Sequence, residues 1–228
     1  MTALPKTRRE LARCIDHTLL KPEATDTQID RLCDECRTYG FAAACVNPCW
    51  VERCVQRLTG TDTKVATVVG FPLGANTSAT KAFEARQAVE QGAGEIDMVI
   101  HLGALLAGDL ATVTRDIAAV ADAARRTRPE TVMKVILETR VLTDAQILAA
   151  CQCAREAGAD FVKTSTGFHS AGGATVEHVA LLKRHAAPLR VKAAGGIRTL
   201  SAALAMIDAG ADRLGLSASV TVIEELPP

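Results

Sequence analysis

The 228-residue chain has no net charge, no long apolar run and no dinucleotide-binding fingerprint, and each absence closes a class of function. With 26 basic against 26 acidic residues, no overall field draws the protein to nucleic acid or to an anionic membrane. An anionic substrate must therefore be held by a local site. The longest uncharged stretch, Val65 to Thr80, is interrupted by Gly70, Pro72 and Gly74, and the opening MTALPKTRRELARCIDH is charged and has no apolar h-region. These features predict a cytoplasmic protein without a membrane or nucleic-acid partner. No G-x-G-x-x-G follows the early strands, which argues against an open nucleotide-binding sheet. The length fits one large domain over residues 1–228 better than two, and no segment reads as a linker.

Eight cysteines are present, and Cys33 and Cys36 form a C-x2-C with Cys45 and Cys49 following. Periodicity nevertheless places Ile29, Leu32, Cys33 and Cys36 on one helical face, and Val51, Cys54, Val55 and Leu58 repeat the pattern. These cysteines are read as small core hydrophobes, so neither a metal site nor a disulfide framework is expected. Cys45 differs, because it falls in a predicted strand and is a candidate for a pocket wall.

Two lysines sit inside short apolar stretches that read as buried strands: Lys163 in FVKTSTG and Lys192 in RVKAAGG. Taking an ammonium out of water costs several kcal/mol unless it is paired or gives up its proton. An exposed lysine, with a pKa of about 10.4, is neutral in roughly one molecule in 2,500 at pH 7, and a depression of about 3 units raises that fraction to about 0.3. Burial and a second nearby ammonium both act in that direction, and a neutral pocket lysine is the nucleophile of Schiff-base chemistry. The alternative is that each lysine snorkels from a strand end to solvent.

A junction recurs along the chain: Gln91-Gly92-Ala93, Ala157-Gly158-Ala159-Asp160 and Ala209-Gly210-Ala211-Asp212 each precede an apolar strand. Each reads as a helix stopped by a left-handed glycine. Helix starts are marked by Thr25 with Gln28, Thr143 with Gln146, Pro48, Thr175 and Thr199. The strand candidates are 14–17, 41–46, 65–69, 95–100, 132–137, 161–164, 190–194 and 213–215. Strands alternating with helices in this number predict a (β/α)8 TIM barrel. Barrel active sites lie at the C-terminal ends of strands. The polar candidates there are Asp16 and His17 on the first strand, Cys45 and Asn47 on the second, Asp97 on the fourth, Glu138 on the fifth, and the two lysines.

Three Gly- or Ser-rich segments follow the last three strands: Ser165-Thr166-Gly167, Gly195-Gly196 and Gly215-Leu216-Ser217. Backbone N–H groups of such loops hold phosphate without a basic residue, although each segment alone also reads as ordinary turn chemistry. Asp97 fits proton transfer for an imine on Lys163, or the simpler role of ion-pair partner to either lysine.

Several segments together resemble the deoxyribose-phosphate aldolase family: IDHTLLKP at 15–22, CVNP at 45–48, VGFPLG at 69–74, EIDMVI at 95–100, KVILET at 134–139, FVKTSTGF at 161–168 and VKAAGGIRT at 191–199. The resemblance covers nearly the whole chain. It implies a metal-independent, cofactor-free class I aldolase of deoxyribose phosphate catabolism. Such an enzyme reversibly cleaves 2-deoxy-D-ribose 5-phosphate to D-glyceraldehyde 3-phosphate and acetaldehyde, with the small phosphorylated aldehyde and acetaldehyde as partners and a homodimer as the expected assembly. It further implies Lys163 as the Schiff-base lysine, Lys192 as the group that perturbs its pKa, Asp97 as the proton-transfer residue, and a phosphate site at Gly167, Gly195, Gly196, Gly215 and Ser217. Asp16, Cys45 and Thr166 are expected around the pocket. Other readings are a Schiff-base barrel aldolase for another phosphorylated aldose, and a sugar-phosphate-binding barrel that has lost catalysis.

The chain departs from the family pattern at Ala218, where a second serine is usual, and at His101, where asparagine is usual. Ser219 or backbone groups are the expected substitutes at the phosphate. Some relatives use a C-terminal tyrosine in proton transfer, whereas this sequence ends EELPP and has Tyr39 as its one tyrosine. Water or Asp97 is expected to take that step, or turnover is slower.

Overall fold

The computed structural model describes residues 4–227. Its strands are β1 (Ile15–Leu19), β2 (Ala43–Val46), β3 (Lys64–Val69), β4 (Glu95–Val99), β5 (Val132–Ile136), β6 (Phe161–Lys163), β7 (Arg190–Ala194) and β8 (Arg213–Leu216). They pair in parallel, in chain order, and β8 closes on β1 through Ile15↔Leu214 and Asp16↔Gly215. The predicted (β/α)8 barrel is therefore the observed fold. The helices are α1 (Arg8–Ala12), α2 (Asp26–Tyr39), α3 (Val51–Leu58), α4 (Ser78–Glu90), α5 (Leu102–Leu106), α6 (Leu110–Thr127), α7 (Asp144–Glu156), α8 (Val176–His185), α9 (Leu200–Asp208) and α10 (Ser219–Glu224). No helix among the described residues is long and apolar enough to cross a membrane.

Local chemistry sets these boundaries much as the sequence predicts. Thr143 accepts from the Gln146 N–H while the Gln146 side chain accepts from the Thr143 N–H, closing a capping box on α7. Gly158 and Gly210 have φ of 75° and 112°, the left-handed conformation that ends α7 and α9 and turns the chain into β6 and β8. Cys33, Cys36 and Cys54 are fully buried on α2 and α3, in the core between helices and barrel wall. Among the described residues no cluster of His, Cys, Asp and Glu is arranged to hold a metal ion.

Alternation along the strands sends one set of side chains to this outer core and the other into the barrel. Ala43, Cys45, Ala66 and Val68 line one side of the interior as small apolar residues under Leu20 and Phe71. The other side is charged. One expectation is corrected here. The first strand runs to Leu19, because Thr18 and Leu19 pair with Cys45 and Val46, so Asp16 and His17 lie within β1 and not at its C-terminal end.

Candidate active site

The parallel register brings a set of charges together in the barrel. Lys163 lies opposite Lys192, and Lys192 opposite Arg213; one strand further round, Asp97 lies opposite Lys134. Asp97 is fully buried and meets three ammonium groups. Its Oδ2 accepts from Lys163 at 2.9 Å and Lys192 at 2.7 Å, and its Oδ1 accepts from Lys134 at 2.6 Å. Lys192 also donates to Asp16, whose other oxygen accepts from Arg213 at 2.5 Å. Lys134 pairs with Glu95 at 2.7 Å.

Counting these charges identifies the unusual group. Asp16, Glu95 and Asp97 are balanced by Lys134, Lys192 and Arg213. Lys163 is a fourth basic group, and the third amine, facing three carboxylates. Burial lowers its pKa, Asp97 pulls it back up and Lys192 pushes it down again, with a net depression. Lys192 behaves oppositely: burial penalises its charge, but Asp16 and Asp97 outweigh burial and raise its pKa above the ordinary range. Burial likewise works against the Asp16 carboxylate, yet Lys192, Lys134 and Arg213 bring its pKa down to about 2. Asp97 is held well below the usual carboxylate range by Lys134, Lys163 and Lys192 in the face of full burial. The interior thus holds fixed, compensated charges beside one amine inclined to be neutral.

Above Lys163 a cavity of about 370 Å³ opens at the C-terminal mouth. Thr166, Gly167, Gly195, Gly196, Gly215 and Ser217 line it, together with Lys21 and Arg198. Glycine is required at 195: φ is 90°, and a Cβ there would lie 2.9 Å from Gly173 Cα. Glu138 is buried in a left-handed conformation (φ 59°) that is rare for a side-chain-bearing residue. Its carboxylate accepts from the Thr166 hydroxyl at 2.6 Å and from the Thr166 N–H at 3.3 Å, which fixes the start of the 166–168 loop. Phe71 and Phe168 meet edge to face at 5.2 Å beside this loop.

The arrangement joins an amine of lowered pKa to a pocket lined by glycines, Thr166, Ser217, Lys21 and Arg198. A family model for DeoC/LacD family aldolases matches residues 11–219. The chain belongs to that family. It is 53% identical to deoxyribose-phosphate aldolase 1 of Bacillus licheniformis, over 96% of each chain. It is 54% identical to deoxyribose-phosphate aldolase of Streptococcus sanguinis, over 94% of this chain and 96% of the other. A tetrameric deoxyribose phosphate aldolase from Aeropyrum pernix superposes with a TM-score of 0.89 at 35% identity, covering 96% of this chain and 92% of its own.

In this aldolase the pocket contains Lys163, Thr166 and all five glycine and serine positions expected around a phosphate. Asp97, Lys192, Asp16 and Cys45 are fully buried and lie outside its lining. Burial raises the Cys45 thiol pKa. Ser219, expected as a substitute at the phosphate, is fully buried outside this lining: its hydroxyl donates to the Leu216 carbonyl and meets His17 Nδ1 at 2.9 Å. His101 caps α5, its Nδ1 accepting from the Ala104 N–H at 3.2 Å. Sequence reasoning set Glu95 on the same strand face as Asp97 without a role, and passed over Lys134 and Arg213 in the charged interior and Lys21 and Arg198 at the pocket. Lys134 carried the same signal as Lys192, a lysine in an apolar strand.

Proposed function

We propose that this aldolase reversibly cleaves 2-deoxy-D-ribose 5-phosphate through an imine on Lys163. The observation that carries the reading is that Lys163 is the uncompensated amine of a charge-balanced interior and opens directly into the glycine-lined pocket. Neutral Lys163 Nζ attacks C1 of the open-chain sugar phosphate, and the carbinolamine loses water to give a protonated imine. The C3 hydroxyl gives up its proton, the C2–C3 bond breaks, and its electron pair enters the iminium to leave an enamine on Lys163. D-Glyceraldehyde 3-phosphate departs. Protonation of the enamine at C2 and hydrolysis of the imine release acetaldehyde and restore the amine.

Asp97 takes the proton-handling role, and Lys192, held charged, lowers the pKa of Lys163; both lie within the hydrogen-bonded group around Lys163 Nζ. Asp97 is ionised, so it receives protons through water and passes them on. Gly167, Gly195, Gly196, Gly215 and Ser217 hold the phosphate by backbone and hydroxyl groups, with Lys21 and Arg198 supplying positive charge. The test is borohydride reduction in the presence of substrate. The expected product is a covalent adduct that peptide mapping places on Lys163; an intact mass unchanged by the treatment overturns the imine.

A further inference from the structure

A second cavity, of about 740 Å³, lies at the opposite end of the barrel. Arg13 precedes β1, Gly40 to Ala42 precede β2, and Thr61 to Thr63 precede β3, so all line the N-terminal face. Catalysis at the other mouth uses none of them. The walls carry four arginines, Arg8, Arg9, Arg13 and Arg37, and one carboxylate, Asp62. In a chain with no net charge this is a concentrated positive field.

The four guanidinium groups are unlike most arginines that bridge this protein's elements. Arg53, Arg57, Arg125 and Arg213 each pair with a carboxylate, whereas among the described residues none of the four has a carboxylate within 4.0 Å. Two of them are nonetheless held in place. Arg8 donates to the carbonyls of Leu226 (2.8 Å) and Glu224 (3.2 Å), and Arg37 donates to those of Arg57 and Thr59, both at 2.8 Å. Carbonyl acceptors orient a guanidinium without cancelling its charge. Arg9 and Arg13 project from the first helix and its end, exposed to solvent. The cavity is thus walled by two oriented and two solvent-exposed cations, and its volume falls in the range of about 300–1,000 Å³ that suits small ligands.

We propose that this cavity is a second anion site, one that takes a polyphosphate group, either free or as part of a nucleoside polyphosphate. Four guanidinium groups around one cavity match a ligand with more than one phosphoryl group: Arg9 and Arg13 present planar forks that engage phosphate oxygens in pairs, while Arg8 and Arg37 add charge and the N–H donors their carbonyl partners leave free. A single carboxylate or a sugar monophosphate would leave most of that charge unused.

Titration calorimetry of the full chain with pyrophosphate, at about 50 mM salt, tests the site because screening is weak there. Three proteins are compared: native, Arg9→Ser/Arg13→Ser, and Arg198→Ser, which weakens the phosphate pocket at the catalytic mouth. The expected result is two binding events in the native protein. The double variant weakens one of them at least tenfold and keeps the native rate of aldol cleavage, while Arg198→Ser weakens the other. A double-variant isotherm that superimposes on the native one overturns the proposal, and so does a native isotherm with no event beyond the one Arg198→Ser removes. ADP in place of pyrophosphate separates the sources: tighter binding at the arginine site assigns a nucleoside polyphosphate, and equal binding assigns the phosphates alone. Binding of a single-stranded oligonucleotide, but not of pyrophosphate, at Arg9 and Arg13 also overturns it.

Discussion

The state of Lys163 is set by a count of charges as much as by any one contact, and the count can be changed one residue at a time. Replacing Lys192 with leucine leaves three carboxylates facing Lys134 and Arg213. Protonated Lys163 then restores neutrality, so the fold is retained and the lysine pKa rises. Because the neutral amine is the nucleophile, the pH dependence of imine formation moves to more alkaline pH, by about one unit or more. Lys134→Leu moves it the same way, although Lys134 sits on the other oxygen of Asp97. Borohydride trapping rates between pH 6 and 10 measure both shifts. A profile that moves for Lys192→Leu and stays still for Lys134→Leu reduces the effect to pairwise repulsion between Lys163 and Lys192. Lys163→Arg forms no adduct at any pH, since guanidinium cannot condense with the aldehyde.

At the scale of elements, strands and helix caps were legible because they rest on local chemistry. Thr143 with Gln146 and the junction glycines at 158 and 210 act within a few residues of themselves. Lys163 and Lys192 were legible because a charge in an apolar strand is costly wherever the strand goes. Pairings that depend on barrel stagger were not. Asp97 and Lys134 stand 37 residues apart and meet because β4 and β5 align them. Asp16 looked like a strand end because only pairing with β2 carries β1 on to Leu19.

Lys81 was hidden more deeply. On α4 it reads as a solvated charge beside Phe83, yet the helix turns Lys81, Ala85 and Ala88 inward and leaves Phe83 54% exposed. Lys81 donates to Asp116 of α6 at 2.7 Å and to the Val99 carbonyl at the end of β4 at 3.0 Å, with both charged side chains fully buried. Lys81→Met strands the Asp116 carboxylate and is expected to cost about 3–5 kcal/mol of stability. Lys81→Met/Asp116→Leu removes both charges and recovers most of the loss. Urea unfolding of the three proteins gives the cycle; a double variant as unstable as the single one shows that the pair is not the origin of the loss.

For the whole molecule, a barrel filled with paired charges fixes how it meets acid. Asp16 and Asp97 keep their pKa values well below the ordinary carboxylate range while folded, Asp16 at about 2. In the unfolded chain both return to about 3.9. As pH falls below about 4 the unfolded chain takes up protons that the folded barrel refuses, so stability present above that pH is lost progressively towards pH 2. Asp16 alone contributes on the order of 2 kcal/mol to this loss. Lys192 and Arg213, which Asp16 joins across β7, β8 and β1, then face each other with less compensation. Asp16→Asn is expected to be less stable than native at pH 7 and to lose less between pH 4 and 2. Urea midpoints measured at intervals across that range test it: parallel lines for the two proteins place the acid sensitivity outside the barrel interior.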